Sequence, residues 1–280
     1  MSADSAVPWG DGIAARVRPG AGEKVLWIHG YTFDSSIWHT LWARLPDRHH
    51  IGIDLPGHGA SEPLRVGETL PALARRIAAL AQAEGVRHLV GLSFGGMVAL
   101  QVAAEAPDAF ATLILGSPGL GGGPEEPHAQ LRNVELARLY RERGPGPWLT
   151  ELWMQAPPDI FTGAAAHPAL WDELRAVVDR HAWAELANAG MQALVNYRQP
   201  EQDLRRIRAA TLILIGERDM DVFKRIGELI RRAIPAGRRS YVPDAGHLGM
   251  LENPAAVQPM METHWNAHGS QAEPAPALTG

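Results

Sequence analysis

The segment Gly91-Leu92-Ser93-Phe94-Gly95 carries the strongest chemical signal in the sequence. It matches the pattern G-x-S-x-G at the junction of a predicted strand and a predicted helix, where a serine is held on a sharp turn. Glycine two residues before and two residues after the serine lets the strand and the helix pass at close range. The pattern therefore favours a nucleophilic Ser93 over an ordinary turn between a strand and a helix.

Ser93 needs two partners, because a serine hydroxyl is a poor nucleophile at neutral pH without a base, and the base must be oriented by a carboxylate. His247 lies in a predicted loop after the strand-like residues 239–242 and is the candidate base. Asp219 follows the strand-like residues 211–215 and is the candidate carboxylate. The chain order Ser, Asp, His is one that such triads use.

The elements that must position these residues are short apolar runs that end in Gly-rich turns and alternate with segments of helical period. Such alternation predicts βα units around a mostly parallel sheet flanked by helices, which is an α/β fold. Strands buried on both faces are predicted at residues 25–28, 50–53, 88–91, 112–115 and 211–215. Helices are predicted at residues 70–83, 94–105 and 222–234.

Residues 119–200 break this alternation. They begin with a Gly-rich run and continue with helical segments but no convincing strand, and they are too long for a plain loop. We predict an inserted helical cap, or lid, at 119–200 on a core formed by 1–118 and 201–265. Residues 266–280 have few large apolar side chains and are predicted to be a disordered tail.

The motifs together resemble the α/β-hydrolase superfamily over about residues 12–262. The resemblance rests on motifs in the expected order, namely His29-Gly30-Tyr31, Asp54-Leu55-Pro56-Gly57-His58-Gly59-Ala60-Ser61, the segment around Ser93, Gly216-Glu217-Arg218-Asp219 and Gly246-His247. It implies an α/β-hydrolase fold with an inserted cap. It also implies that Ser93 is the nucleophile, His247 the general base and then acid, and Asp219 the residue that orients the imidazole.

The same resemblance implies an oxyanion hole formed by the backbone N–H groups of Tyr31 and Phe94. Its spacing favours Asp219 as the acid over Asp221, which lies two residues later. His29 and His58 are expected to hold loops rather than to react, and Asp54 is expected to pin the loop that carries His58.

The cap is rich in aromatic residues and methionine, which suggests a largely apolar substrate. Any one such side chain is more often part of the cap's own core, and His181 is more often solvated or capping than substrate-binding. Candidate substrate contacts are Trp153, Met154, Phe161, Trp183 and, next to the predicted base, Leu248.

A triad of this type predicts acyl transfer through Ser93, with hydrolysis of a carboxylic ester or lactone as the first hypothesis. Thioester hydrolysis and perhydrolysis use the same groups. Hydrolysis of a carbon–carbon bond is less favoured, because Leu248 stands where such enzymes commonly carry an aromatic residue. A non-hydrolytic pocket protein, such as a cyclase, a lyase or a small-molecule receptor, is the alternative of a different class.

Composition narrows the range of partners. A net charge of −5 argues against a nucleic-acid surface, and no apolar run approaches the ~20 residues that span a bilayer. The absence of cysteine removes disulfides and Cys-ligated metals, and no convincing metal or nucleotide motif is present. We expect a cytoplasmic, bacterial enzyme that acts on a small molecule with no cofactor and no metal; the sequence leaves the oligomeric state open.

Overall fold

An eight-stranded sheet forms the centre of the computed structural model, which describes residues 5–187 and 190–269. The sheet order is β1-β2-β4-β3-β5-β6-β7-β8. Strands β3 to β8 run parallel, whereas β2 is antiparallel to both β1 and β4. The strands are β1 (Val7–Gly10), β2 (Ile13–Arg18), β3 (Lys24–Ile28), β4 (His49–Asp54), β5 (His88–Leu92), β6 (Thr112–Gly116), β7 (Ala210–Gly216) and β8 (Gly237–Val242).

Helices cover both faces of the sheet. They are α1 (His39–Ala43), α2 (Leu70–Ala83), α3 (Phe94–Glu105), α4 (Pro127–Arg143), α5 (Pro147–Trp153), α6 (Pro168–Asp179), α7 (Gly190–Val195), α8 (Glu201–Leu204), α9 (Asp221–Ala233), α10 (Gly249–Glu252) and α11 (Pro254–His268). The predicted helices 70–83 and 94–105 coincide with α2 and α3, and α9 lies one residue before the prediction at each end. No helix of the described residues is both long and apolar enough to cross a membrane.

The alternation of side chains along each strand divides the core into two layers. In β3, Leu26 and Ile28 pack with α2 and α3, whereas Val25 and Trp27 pack with α1 and α11. Both faces are buried, which explains why the parallel strands are continuous apolar runs in the sequence. All five predicted strands are present, and the predicted α/β-hydrolase fold is confirmed.

The antiparallel edge of the sheet was not predicted. Strands β1 and β2 form a hairpin whose two-residue turn is Asp11-Gly12, with φ of 51° and 75°. An Asp-Gly pair favours this type of turn, because both residues tolerate positive φ. The dipeptide was therefore a usable signal for a hairpin.

The described residues between β6 and β7 form no strand; their regular elements are α4 to α8 and two short 3₁₀ turns, Ala164–Ala166 and Ala184–Ala187, joined by turns and irregular segments. We call residues 119–200 the insertion; its status as a separate cap stays a prediction. The tail boundary predicted after residue 265 falls inside α11, because Met261 and Trp265 are buried and hold the last turns of that helix. Residues 270–280 lie outside the described residues.

The turn between β5 and α3 is one residue long. Ser93 alone connects the two elements, with φ of 55° and ψ of −117°. A Cβ atom on Gly91 would lie 2.5 Å from the carbonyl oxygen of Gly95, and one on Gly95 would lie 2.2 Å from the carbonyl oxygen of His29. Glycine at these two positions is required because backbone atoms occupy the space of a side chain.

The first prediction concerns this packing. Gly95→Ala should lower the free energy of unfolding by about 2 kcal/mol or more, because the added methyl group meets backbone that cannot move aside. Thermal unfolding of the two proteins measures the difference. Gly249→Ala is the control, since its Cβ would make ordinary contacts of 3.4 Å or more. Equal losses in both variants would contradict the packing argument.

Candidate active site

Ser93, His247 and Asp219 form one hydrogen-bonded chain. The hydroxyl of Ser93 lies 2.9 Å from Nε2 of His247 and donates to it. Nδ1 of His247 lies 3.1 Å from Oδ1 of Asp219 and donates in turn. The side chains of His247 and Asp219 are 0% exposed, and Ser93 is half-buried. The sequence-predicted residues are thus brought together, with only the serine open to solvent.

The sheet explains why residues so far apart in the chain meet. Ser93 follows β5, Asp219 follows β7, and His247 follows β8, and these strands are parallel. The carboxyl ends of parallel strands share one edge of a sheet, which is where α/β proteins build their sites. Asp221 begins α9 instead, with a side chain that is 89% exposed and paired with Lys224, so it does not contact His247.

Two contacts around His247 and Asp219 were not predicted from the sequence. The ring of Phe223 in α9 packs against the imidazole, with 4.1 Å between the ring centroids. Oδ1 of Asp219 also accepts a hydrogen bond from the backbone N–H of Met220 at 2.8 Å, whereas its buried Oδ2 has no partner among the described residues. Asp219 therefore orients the imidazole through one of its two oxygens, and Phe223 covers one face of the ring.

The backbone N–H groups proposed for the oxyanion hole lie beside Ser93. Phe94 is the first residue of α3, so its N–H has no partner within the helix and lies at the positive end of the helix dipole. The loop that carries Tyr31 also reaches the serine, since a Cβ on Gly30 would lie 3.5 Å from Cβ of Ser93. The role of these two N–H groups as an oxyanion hole stays a prediction.

Buried polar groups hold this loop in place. The N–H of Leu55 donates to Nε2 of His29 at 2.9 Å, and the carboxylate of Asp54 accepts from the N–H groups of Ser35 and Ala60, each at 2.8 Å. These bonds join residues 29–36 to residues 54–61. The structure confirms the loop-holding roles expected of His29 and Asp54.

A second group of buried polar residues joins the same loop to the insertion. The hydroxyl of Tyr31 donates to Oε1 of Glu185 at 2.6 Å, and Nε2 of His181 donates to the same oxygen at 3.0 Å. The ring of His58 lies 4.7 Å from that of His181. We call Tyr31, His58, His181 and Glu185 the Glu185 cluster. His181 is buried rather than solvated, and no pattern in the sequence marked Glu185 as its partner.

Burial and neighbouring groups shift the pKa values of Glu185, Tyr31 and His58 in the Glu185 cluster. Burial opposes ionisation of Glu185, but the hydrogen bonds and charge of His181, together with the hydroxyl of Tyr31, hold its pKa below the ordinary value. Burial and the neighbouring carboxylate raise the pKa of Tyr31 well above 10. Burial, with the charges of His181 and His29, lowers the pKa of His58 well below its ordinary value. The cluster holds an ionised Glu185 and a neutral Tyr31 at neutral pH.

Two further polar contacts dock the insertion on residues 31–36. The indole N–H of Trp153 donates to the hydroxyl of Thr32 at 2.9 Å. The guanidinium of Arg180 donates to Asp34 at 2.8 Å and to Ser36 at 2.7 Å. The loop that supplies the N–H of Tyr31 is therefore held from the core on one side and from the insertion on the other.

The predicted substrate contacts Trp153, Met154, Phe161, Trp183 and Leu248 are all buried. Phe161 packs edge-on against Phe33 of the core loop, and Trp183 packs edge-on against Tyr31 of the same loop. Their aromatic faces fill the contact between insertion and core. A role in substrate binding stays a prediction. No group of His, Cys, Asp and Glu in the described part of the chain is arranged to hold a metal ion.

Comparison with known proteins gives a consistent result. A family model described as the alpha/beta hydrolase family matches residues 25–258. The chain is 32% identical to a 2-succinyl-6-hydroxy-2,4-cyclohexadiene-1-carboxylate synthase of Enterobacter sp., over 83% of this chain and 88% of that protein. It is 30% identical to the dihydrolipoyllysine-residue acetyltransferase component of an acetoin cleaving system of Cupriavidus necator, over 91% of this chain and 67% of that protein.

Among solved structures, a thermophilic esterase from Thermogutta terrifontis superposes with a TM-score of 0.75 and 27% sequence identity. The superposition covers 91% of this chain and 94% of that one. The similarity therefore extends over sheet, flanking helices and insertion.

The second prediction tests the docking of the insertion. Tyr31→Phe removes one donor from a buried carboxylate and should lower the free energy of unfolding by about 1.5–3 kcal/mol. Denaturant unfolding measures the change. Tyr241→Phe is the matched control, because Tyr241 is exposed and its hydroxyl makes none of the hydrogen bonds of the described residues. Equal stability of the two variants would contradict the role of the Tyr31 hydroxyl.

The third prediction follows from the lowered pKa of Glu185. Because the folded state holds the pKa of Glu185 below its ordinary value of 4.5, the carboxylate stabilises the folded state above that pH. The stability difference between the wild type and Glu185→Gln should be present at neutral pH and should shrink as the pH falls below about 4.5. Unfolding free energies measured between pH 7 and pH 3.5 test this, and a difference that grows on acidification would contradict it.

Proposed function

The chain belongs to the alpha/beta hydrolase family, and on that premise we propose that it hydrolyses a carboxylic ester or lactone of a largely apolar small molecule through an acyl-enzyme on Ser93. The observation that carries the proposal is the chain of hydrogen bonds from Ser93 through His247 to Asp219. A half-buried serine at the end of two fully buried partners can meet a substrate and pass its proton inward.

The geometry supports a reaction in two halves. In the first, the oxygen of Ser93 bonds to the carbonyl carbon while its proton moves to Nε2 of His247. The tetrahedral intermediate collapses, the bond to the leaving oxygen breaks, and His247 returns the proton to that oxygen. In the second, water attacks the acyl-enzyme, gives its proton to His247, and releases the acid as Ser93 recovers its hydrogen.

The surroundings lower the barrier by placing charge where it develops. Asp219 accepts a hydrogen bond from the Nδ1–H of His247, which selects the tautomer that leaves Nε2 free as a base. The N–H groups of Tyr31 and Phe94 would face the carbonyl oxygen as it becomes negative, and one such donor contributes about 10²–10³ in rate. Burial of His247 and Asp219 strengthens their interaction, because water does not screen it.

Apolar side chains near the triad support an apolar substrate. Phe94, Leu120, Met220 and Phe223 are partly exposed and pack on the core that surrounds α3 and α9. Phe94 follows the nucleophile, Met220 follows Asp219, and Phe223 contacts His247. The 27% identity to an esterase structure of the same extent supports ester chemistry.

A non-hydrolytic reaction in the same pocket is the second candidate. It is favoured by one observation, the 32% identity to a synthase that is named for a cyclohexadiene carboxylate. In such a case the enzyme would turn over its substrate without an acyl group ever bonded to Ser93. The two candidates therefore differ in a covalent intermediate that can be detected.

The fourth prediction separates them. With p-nitrophenyl esters of short to long acyl chains, Ser93→Ala should lose at least about 10³-fold in kcat/KM, because the nucleophile is absent. Ser240→Ala is the control, since this half-buried serine of β8 lies outside the triad. Intact-mass spectrometry of the wild type during turnover should show the added acyl group. Undiminished turnover by Ser93→Ala would overturn the proposal, and product without an acyl-enzyme would favour the second candidate.

A further inference from the structure

Glu252 is a second buried carboxylate beside His247. It is the last residue of α10, five positions after His247, and it is 7% exposed. Its Oε2 accepts a hydrogen bond from the backbone N–H of Gly246 at 2.5 Å, and its Oε1 accepts one from Leu248 at 3.0 Å. The two donors are the residues on either side of His247, so the carboxylate bridges the backbone of the catalytic loop.

The hydrogen bonds indicate which form of Glu252 the site holds. Each oxygen faces an N–H donor, and a protonated carboxyl group would place its own hydrogen against one of them. Burial, with the charge of Asp219, raises the pKa of Glu252 above its ordinary value, although the N–H groups of Gly246 and Leu248 and the nearby His247 oppose that change. The two N–H donors thus favour the ionised form of Glu252 against the effect of burial.

The short helix that ends in Glu252 gains nothing from this charge. A carboxylate at the C-terminal end of a helix lies against the negative end of the backbone dipoles. Its cost of burial must be offset by the partners it contacts, and those are the N–H groups that flank His247. The placement therefore serves the histidine loop rather than the helix.

The insertion covers this carboxylate. A Cβ on Gly163 would lie 2.0 Å from Oε2 of Glu252, so the backbone of Gly163 lies directly on the carboxylate. The φ of Gly163 is −65°, a conformation that alanine adopts freely. Glycine is needed here for space alone, and its contact keeps water away from Glu252.

We propose that Glu252 is a positioning residue that sets both the direction and the base strength of His247. The inference rests on the proposed role of His247 as the base for Ser93. While the imidazole of His247 is neutral, the two carboxylates Asp219 and Glu252 face no positive charge on it. Proton transfer from Ser93 gives the imidazole that positive charge. A second carboxylate thus stabilises the imidazolium that forms during attack, as nearby opposite charge does generally.

The experiment uses a fluorophosphonate, which bonds covalently to an activated serine and needs no particular acyl substrate. Its second-order rate constant with Ser93 is measured from pH 4.5 to pH 9 for the wild type, Glu252→Gln, Glu252→Asp and Gly163→Ala. Glu84→Gln is the control, since Glu84 lies on the surface after α2 and pairs with Lys24. Ser93→Ala shows the background, and circular dichroism verifies that each variant is folded.

Loss of charge and loss of geometry should give different results. Glu252→Gln should lower the plateau rate by about 10-fold or more and move the midpoint of the acid limb to lower pH by about 0.5–1, because the imidazolium loses a stabilising charge. Glu252→Asp keeps the charge but cannot reach both N–H groups, and Gly163→Ala displaces the carboxylate. In both, the plateau should fall while the midpoint stays within about 0.3 of that of the wild type.

An unmoved midpoint in a folded Glu252→Gln variant would overturn the proposal. If that variant does not fold, wild-type plateaus in Glu252→Asp and Gly163→Ala would overturn it instead, and lowered plateaus in both would support it. Failure of the proposed function has a different signature. If the protein does not hydrolyse esters, Ser93 would still react with the fluorophosphonate, and the rate constant would show the pH dependence given above. The p-nitrophenyl esters would not be hydrolysed.

Discussion

The left-handed backbone of Ser93 is the constraint on which the site depends. A non-glycine residue in this conformation costs about 1–3 kcal/mol and persists only where its neighbours leave no alternative. Gly91 and Gly95 provide that enforcement, since they allow β5, α3 and the loop after β3 to touch through their backbones. The strain places the hydroxyl at the sheet edge, where the loops after β7 and β8 deliver Asp219 and His247.

The same close approach links the nucleophile to the insertion. Gly95 lies against the carbonyl of His29, so residues 29–36 are pressed against the start of α3. Tyr31 follows Gly30, which lies beside Ser93, and its hydroxyl donates a hydrogen bond to Glu185 of the insertion. Docking of the insertion and alignment of a proposed oxyanion donor are therefore one structural event, held by buried polar contacts rather than by shape alone.

The imidazole of His247 is held from three directions. Asp219 bonds to its Nδ1, Phe223 packs on its face, and Glu252 bridges the backbone on either side of it. The two carboxylates lie in a buried region, where charge acts more strongly than at a surface. The insertion contributes to this arrangement, because the backbone of Gly163 lies against the carboxylate of Glu252.

The sequence by itself determined the parallel sheet, helices α2, α3 and α9 and the meeting of Ser93, Asp219 and His247, because buried strands and glycine-flanked turns leave local patterns. It did not reveal Glu185 or Glu252, since an acidic residue in a short helical segment is usually solvated and nothing local marks its burial. Glu185 accepts a hydrogen bond from Tyr31, which is far away in the chain, and Glu252 accepts hydrogen bonds from backbone N–H groups. Only the tertiary structure decided those contacts, because they arise when the insertion and the histidine loop pack on the finished sheet.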